Sequence, residues 1–206
     1  MKKIAVSIHA RKNFNPDVIK DLDGLDYIHV DVADGKFANV NHLNLDTFRL
    51  LKENYNIPII AHMMVLNPLE YLDKIIKYVH SFTFHFEIKE NKLIIINEIK
   101  KKGKKVGIAI NPNTDISEII PYLDVIDLVL IMCVFPGSSG QQFITQSIDK
   151  VNLLAEYKKD FEFQIEVDGG INLENAKRID ADILSSTSTI LNSKSPNSVI
   201  QLLKQS

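Results

Sequence analysis

The apolar and polar positions of the chain alternate in short runs. In YIHVDV, Ile28, Val30 and Val32 alternate with Tyr27, His29 and Asp31. In FTFHFE, Phe82, Phe84 and Phe86 share one face, leaving Thr83, His85 and Glu87 on the other. In EFQIEVD, Phe163, Ile165 and Val167 oppose Glu162, Gln164, Glu166 and Asp168. A period of two marks a β-strand whose faces meet different surroundings. With KIAVSIHA, IIAHMMV, VGIAIN, LVLIMCV and ADILSST there are eight such runs. Helical spacing fills the gaps: NLDTFRLLKENY, PLEYLDKIIKYV, NKLIIINEIKKK, DISEIIPYL, QSIDKVNLLAEYKK and NLENAKRI, with PNSVIQLLKQ after the last run. The first crossover, from His9 to Tyr27, has room only for a brief helix.

Strands alternating with helices predict βαβ units on a parallel sheet. An open doubly wound sheet and a (β/α)8 TIM barrel compete as closures. Eight runs favour the barrel. So do their two faces: an open parallel sheet is covered on both sides and its strands read as nearly continuous apolar runs. A barrel turns an apolar face out to its helices and tolerates polar side chains within, toward the C-terminal mouth. The expectation is a single barrel domain over residues 1–206.

Composition narrows the class of partner. A chain of 206 residues, 45% of them hydrophobic, can bury a full core. A net charge of −2 and a pI near 6.3 leave no basic footprint for nucleic acid. No window reaches the roughly 18 consecutive apolar residues of a membrane span. The apolar stretch in MKKIAVSIHARKNF is interrupted by Ser7, His9 and Arg11, unlike a signal peptide. Cys133 stands alone and cannot form an internal disulfide. A cytoplasmic protein with a small soluble partner is expected.

Four groups face inward near strand C-termini by the alternation rule: His29 and Asp31 on the second strand, His62 on the third and Asp168 on the seventh. Two imidazoles and two carboxylates suit one divalent ion, zinc, manganese or iron(II). Singly, each also reads as a satisfied polar residue of a barrel interior; together they point to a metal. The loop PGSSGQ, with Gly137, Ser138, Ser139 and Gly140, follows the sixth strand, the turn DGG with Gly169 and Gly170 follows the seventh, and Thr187 and Ser188 follow the eighth. Gly-containing loops and hydroxyls clustered there can cradle a phosphate with backbone N–H groups. Met64 and Met132 point into the same mouth. Cys133 has the helix-facing parity and reads as a buried apolar residue. His85 and Glu87 share the inner face and read as polar filling that supports the site, while His9, His42 and His80 receive no role.

IHVDVADGKF, AHMMV, TFHFE, VGIAINPNT, VLIMCVFPGSSGQQFI and IEVDGGIN, in this order and spacing, resemble the ribulose-phosphate 3-epimerases and related ketose-phosphate 3-epimerases over nearly the whole chain. The resemblance implies a ribulose-phosphate-binding barrel that inverts C3 of a ketose phosphate, interconverting ribulose 5-phosphate and xylulose 5-phosphate. It also implies metal ligation by His29, Asp31, His62 and Asp168, with Asp31 and Asp168 as the acid/base pair on opposite faces of a cis-enediolate. Ser7 matches a substrate-contacting serine. His62, Met64 and Met132 join it around the sugar, and the glycine, serine and threonine residues above take the phosphate. Such relatives commonly form dimers or larger homo-oligomers.

The chain departs from that family's pattern at several positions. Phe135, Ser138 and Ser139 stand in a loop that usually reads close to NPGFGGQ, and Thr187 precedes Ser188 where GS is usual. His9, Ala10 and Arg11 replace different residues, and Ala33 stands where a methionine is usual. A small residue there predicts extra space at the site. Hence two alternatives: a 3-epimerase of a hexulose 6-phosphate such as allulose 6-phosphate, or a catalytically silent sugar-phosphate binding protein.

Overall fold

The computed structural model describes residues 1–137 and 140–206. Ser138 and Ser139 lie outside the described residues. Eight parallel strands close on themselves: β1 (Lys3–His9), β2 (Tyr27–Asp34), β4 (Ile59–Met64), β5 (Ser81–His85), β6 (Lys105–Ile110), β7 (Leu128–Met132), β8 (Gln164–Asp168) and β9 (Ile183–Ser186). Pairing of β1 with both β2 and β9 completes the ring. A short additional strand, β3 (Asn41–His42), folds back antiparallel on the end of β2. It belongs to the long loop after β2, which the alternation pattern leaves without an element.

The outward residues of the strands meet the helices in one large core that includes Phe48, Phe82, Phe84, Ile95 and Ile99. Each such fully buried side chain contributes on the order of 1.5–3 kcal/mol. The inward residues form layers. Ala5, Tyr27, Ile60, Leu128 and Ile183 close the lower end of the barrel. Above them the interior turns polar, with Ser7, His29, His62, Thr83, Glu166 and Ser185 all buried. Gly107 belongs to this layer for a steric reason: a Cβ there would lie 2.2 Å from Thr83 Oγ1.

Five of the helical segments of the sequence form α-helices: α1 (Asp46–Asn54), α2 (Leu69–Ile75), α3 (Lys92–Lys101), α4 (Gln146–Glu156) and, after a one-turn α5 (Ser188–Leu191), α6 (Pro196–Lys204). At the start of α3 the Asn91 side chain accepts from the N–H groups of Leu93 and Ile94, a cap that satisfies two of the helix's free donors. Two expectations are corrected. DISEIIPYL forms only short 3-10 turns at Ile116–Glu118 and Ile120–Tyr122, because Pro121 lacks the N–H an α-helix needs. NLENAKRI forms only a 3-10 turn at Asn175–Arg178, where the Asn172 side chain accepts from the N–H groups of Glu174 and Asn175 and ties the segment into a turn. Among the described residues no helix is long and apolar enough to cross a membrane.

Candidate active site

Barrel register brings the inward polar residues together. Asp31 lies opposite His9 on β1 and His62 on β4, and Asp168 lies opposite Met132 on β7 and Ser185 on β9. His29, Asp31, His62 and Asp168 each turn one potential ligand atom to a common point, all within 4.8 Å of one another. His29 Nε2 is 3.2 Å and His62 Nδ1 is 2.8 Å from Asp31 Oδ1, and the two ring nitrogens are 3.3 Å apart. Two imidazole nitrogens and two carboxylates in a buried pocket could hold one divalent ion.

Neighbours hold each group in place. Ser7 Oγ donates to Asp31 Oδ2 at 2.9 Å. Glu166 Oε1 accepts from Ser185 Oγ at 2.5 Å and faces His29 Nδ1 at 2.7 Å. A carboxylate only accepts, so His29 donates to it from Nδ1, and Nε2 is the nitrogen that would ligate an ion. On the other side, His62 Nε2 meets His85 Nε2 at 2.9 Å, and His85 Nδ1 meets Glu87 Oε2 at 3.0 Å.

The two aspartates are shifted in opposite directions. Burial pushes Asp31 up, but His29 and His62 outweigh it and hold the carboxyl well below the usual carboxylate range. Asp168 is raised to about 7, first by burial and then by the charge of Asp31. Burial lowers His62 to about 4, whereas His29, desolvated but set between Glu166 and Asp31, is raised well above its ordinary value. Cys133 is fully buried and burial pushes its thiol up to about 12, in keeping with an inert apolar role.

A cavity opens above these residues. Gly137, Gly140, Gly169, Gly170, Thr187 and Ser188 form its wall over β7 to β9, and Ser7, Met64 and Met132 line the side next to the cluster. At Gly169 φ is +110°, and a Cβ would come within 2.5 Å of Val134 Cγ2, so only glycine lets the DGG turn approach the β7 loop this closely.

The family model for the ribulose-phosphate 3 epimerase family matches residues 3–191. The chain belongs to the ribulose-phosphate 3-epimerase family. It is 32% identical over 191 residues to the cytoplasmic isoform of ribulose-phosphate 3-epimerase from Oryza sativa subsp. japonica, covering 89% of this chain and 83% of the relative. It is 34% identical over 197 residues to the chloroplastic ribulose-5-phosphate-3-epimerase of Arabidopsis thaliana, covering 90% of this chain and 69% of the relative. Among solved structures, 3-hexulose-6-phosphate synthase from Salmonella typhimurium superimposes with a TM-score of 0.72 at 15% identity, covering 98% of this chain and 97% of that one, a likeness of fold alone. Membership makes the protein an isomerase, a ketose-phosphate epimerase.

The alternation rule leaves several residues of this epimerase's mouth without a role. His9 lines the cavity, stacks on His42 with ring centroids 4.6 Å apart, and places Nε2 3.7 Å from Asp31 Oδ2. Its parity with Ser7 is the available signal; the stacking partner comes from β3 and has none. Glu166 shares the inner parity of Asp168 and lies two residues deeper on β8, and Ser185 shares that of Ile183 and lines the cavity. His80 lies beside Tyr27 at the lower end. One expectation needs correction: Ala33 does not open the cavity. It is fully buried against Ala38 and Met64, with Phe37 and Val40 packed over them, so the loop after β2 fills the space itself.

Proposed function

We propose that the enzyme inverts C3 of a ketose phosphate, ribulose 5-phosphate to xylulose 5-phosphate, with Asp31 and Asp168 as its two proton-transfer groups. The observation that carries this reading is geometric: Asp31 and Asp168, from different strands, meet with two histidines within 4.8 Å and line the same cavity, and their carboxyls are shifted in opposite directions, Asp31 well below the usual range and Asp168 up to about 7. Inversion next to a ketone removes a proton on one face and returns one on the other, so a single base would tend to restore the starting configuration. Carboxyls that flank the substrate, one able to accept and one able to donate, meet that need.

His29, Asp31, His62 and Asp168 would hold a divalent ion, and the convergence of their ligand atoms fits one. When bound, such an ion offsets the negative charge that develops on the substrate oxygens. Asp31 takes the C3 proton at one face, with Ser7 and the two histidines holding its orientation. Asp168 delivers its proton to the opposite face of the resulting enediolate, and the reverse reaction exchanges these roles. Backbone N–H groups of Gly140, Gly169 and Gly170, with Thr187 and Ser188, receive the phosphate and place C3 between the carboxyls. Ser138 and Ser139 belong to the same proposed phosphate loop. Met64 and Met132 exclude water from the reacting carbons.

The test is a panel of pentulose and hexulose phosphates incubated with the metal-replete protein in heavy water, with C3 deuterium incorporation and epimer formation followed by NMR. Fastest exchange with ribulose 5-phosphate is expected. Preference for a hexulose 6-phosphate would replace the substrate but keep the mechanism, and bound metal without any exchange would make the protein a silent binder.

A further inference from the structure

Glu87 sits two hydrogen bonds away from the metal-ligating atom of His62, outside the set of four ligands. Its carboxylate is anchored at both oxygens. Oε1 accepts from the backbone N–H of Asn111 at 2.7 Å and from Thr114 Oγ1 at 2.5 Å, and Oε2 faces His85 Nδ1 at 3.0 Å. His85 and His62 are both fully buried, so neither ring has solvent as an alternative partner. The tautomers then follow in order. Glu87 can only accept, so His85 carries its proton on Nδ1 and presents a lone pair at Nε2. That lone pair accepts from His62 Nε2–H across 2.9 Å. His62 is left with its lone pair on Nδ1, the atom that faces Asp31 Oδ1 and His29 Nε2.

We infer that Glu87 is a positioning residue that fixes, through His85, the tautomer in which His62 can bind a divalent ion. The inference rests on the metal site proposed above and adds to it a remote residue that selects the ligating nitrogen. It makes the two histidines alike in principle: Glu166 sets His29 directly, and Glu87 sets His62 through one intervening ring.

The geometry makes Glu87→Gln a sharper probe than a deletion. The Asn111 N–H is a fixed donor and requires the amide oxygen of the glutamine to face it. The amide NH2 then faces His85 Nδ1, which must become an acceptor. His85 carries its proton on Nε2, donates to His62 Nε2, and drives the His62 proton onto Nδ1, the ligand position. An isosteric change of one atom thus reverses the whole chain.

The experiment measures zinc affinity by competition with a chelator for the full-length protein, Glu87→Gln, His85→Phe and the double variant, together with 15N-detected histidine tautomers of the zinc-loaded wild type. The expected results are the Nδ1–H tautomer at His85 and an affinity loss of about 10- to 100-fold in Glu87→Gln, the range for partners that orient a metal-bound histidine. With the relay ring removed, Glu87→Gln should add no further loss to His85→Phe. A simple effect of the lost negative charge would persist in that background and would overturn the inference, as would unchanged zinc affinity in Glu87→Gln or an Nε2–H His85 in the wild type. A wild-type protein that binds no zinc, manganese or iron(II) would instead overturn the metal site itself, and this inference with it.

Discussion

The two carboxylates of the site stand on different strands of one barrel, β2 and β8, are both buried, and yet have pKa values shifted in opposite directions. On the β2 wall, Asp31 has Ser7, His29 and His62 within 2.8 to 3.2 Å. On the β8 wall, Asp168 is steadied by the Gly169 N–H, a weaker influence than burial and the facing charge of Asp31. Depth in the barrel alone therefore does not set protonation. The donors and charges facing each carboxylate decide how far burial prevails, and one fold can thereby give the same residue type two different pKa values.

Removing either member should break the pair outright. Asp31→Asn and Asp168→Asn are each expected to lower epimerisation by about 10³-fold or more, as measured by C3 exchange, because a lost acid or base group contributes on the order of 10² to 10⁴ and each aspartate would also hold the proposed ion. Near-normal turnover in either variant would refute the two-carboxylate mechanism.

Both walls would supply ligands to the proposed ion, so metal should tie them together. Stripping the ion with a chelator is expected to abolish turnover, and restoring it at 100 times its dissociation constant should stabilise the fold by about 2.7 kcal/mol, a thermal shift of several degrees. An unchanged melting temperature would show that the cluster holds no ion.

In the metal-free protein the walls should differ in their response to pH. The folded-state pKa of Asp168 lies above its unfolded value, so its burial costs nothing below about pH 4 and weakens the fold as pH rises through 7. Metal-free Asp168→Asn should match the wild type at pH 4 and exceed its stability at pH 8 by roughly 1–3 kcal/mol in denaturant titrations. Asp31 has the opposite sign: its folded pKa is depressed, so its contribution is present at neutral pH and lost as the solution is acidified below about 4. Asp31→Asn should not share the gain at pH 8.

The smallest change is expected from Ser7→Ala, which takes one donor from the better-served wall. Removal of that hydrogen bond should raise the Asp31 pKa and move the acid limb of the kcat/KM profile upward, with a loss of about 1 kcal/mol in transition-state stabilisation, or several-fold in rate. An unmoved acid limb would mean that the histidines alone set the charge of Asp31.

Much of this arrangement is legible in the chain. Alternation in YIHVDV and FQIEVD distinguishes the helix-facing residues from the inward ones and places His29, Asp31 and Asp168 on the inside before any contact is known. The same parity sets Cys133 against the helices, where it is buried. Helical periodicity is less informative where local chemistry overrides it, as at Pro121. Ala33 shows a different limit. Its size is visible in sequence, but whether a small side chain leaves a space depends on what packs over it, and here Phe37, Ala38 and Met64 do.

Strand periodicity, the order of motifs and the residue types near strand ends determined the barrel, its family and the inward-facing His/Asp cluster, because a period of two assigns every side chain to a face from local geometry alone. Tertiary structure decided the rest. The facing of Glu166 to His29 across 137 positions, the relay from Glu87 through His85 to His62, and the stacking of His42 on His9 depend on barrel closure and strand register. Those relations set which histidine nitrogen faces the cluster and which way each carboxyl's pKa moves, since protonation answers to neighbours in space and not to neighbours along the chain.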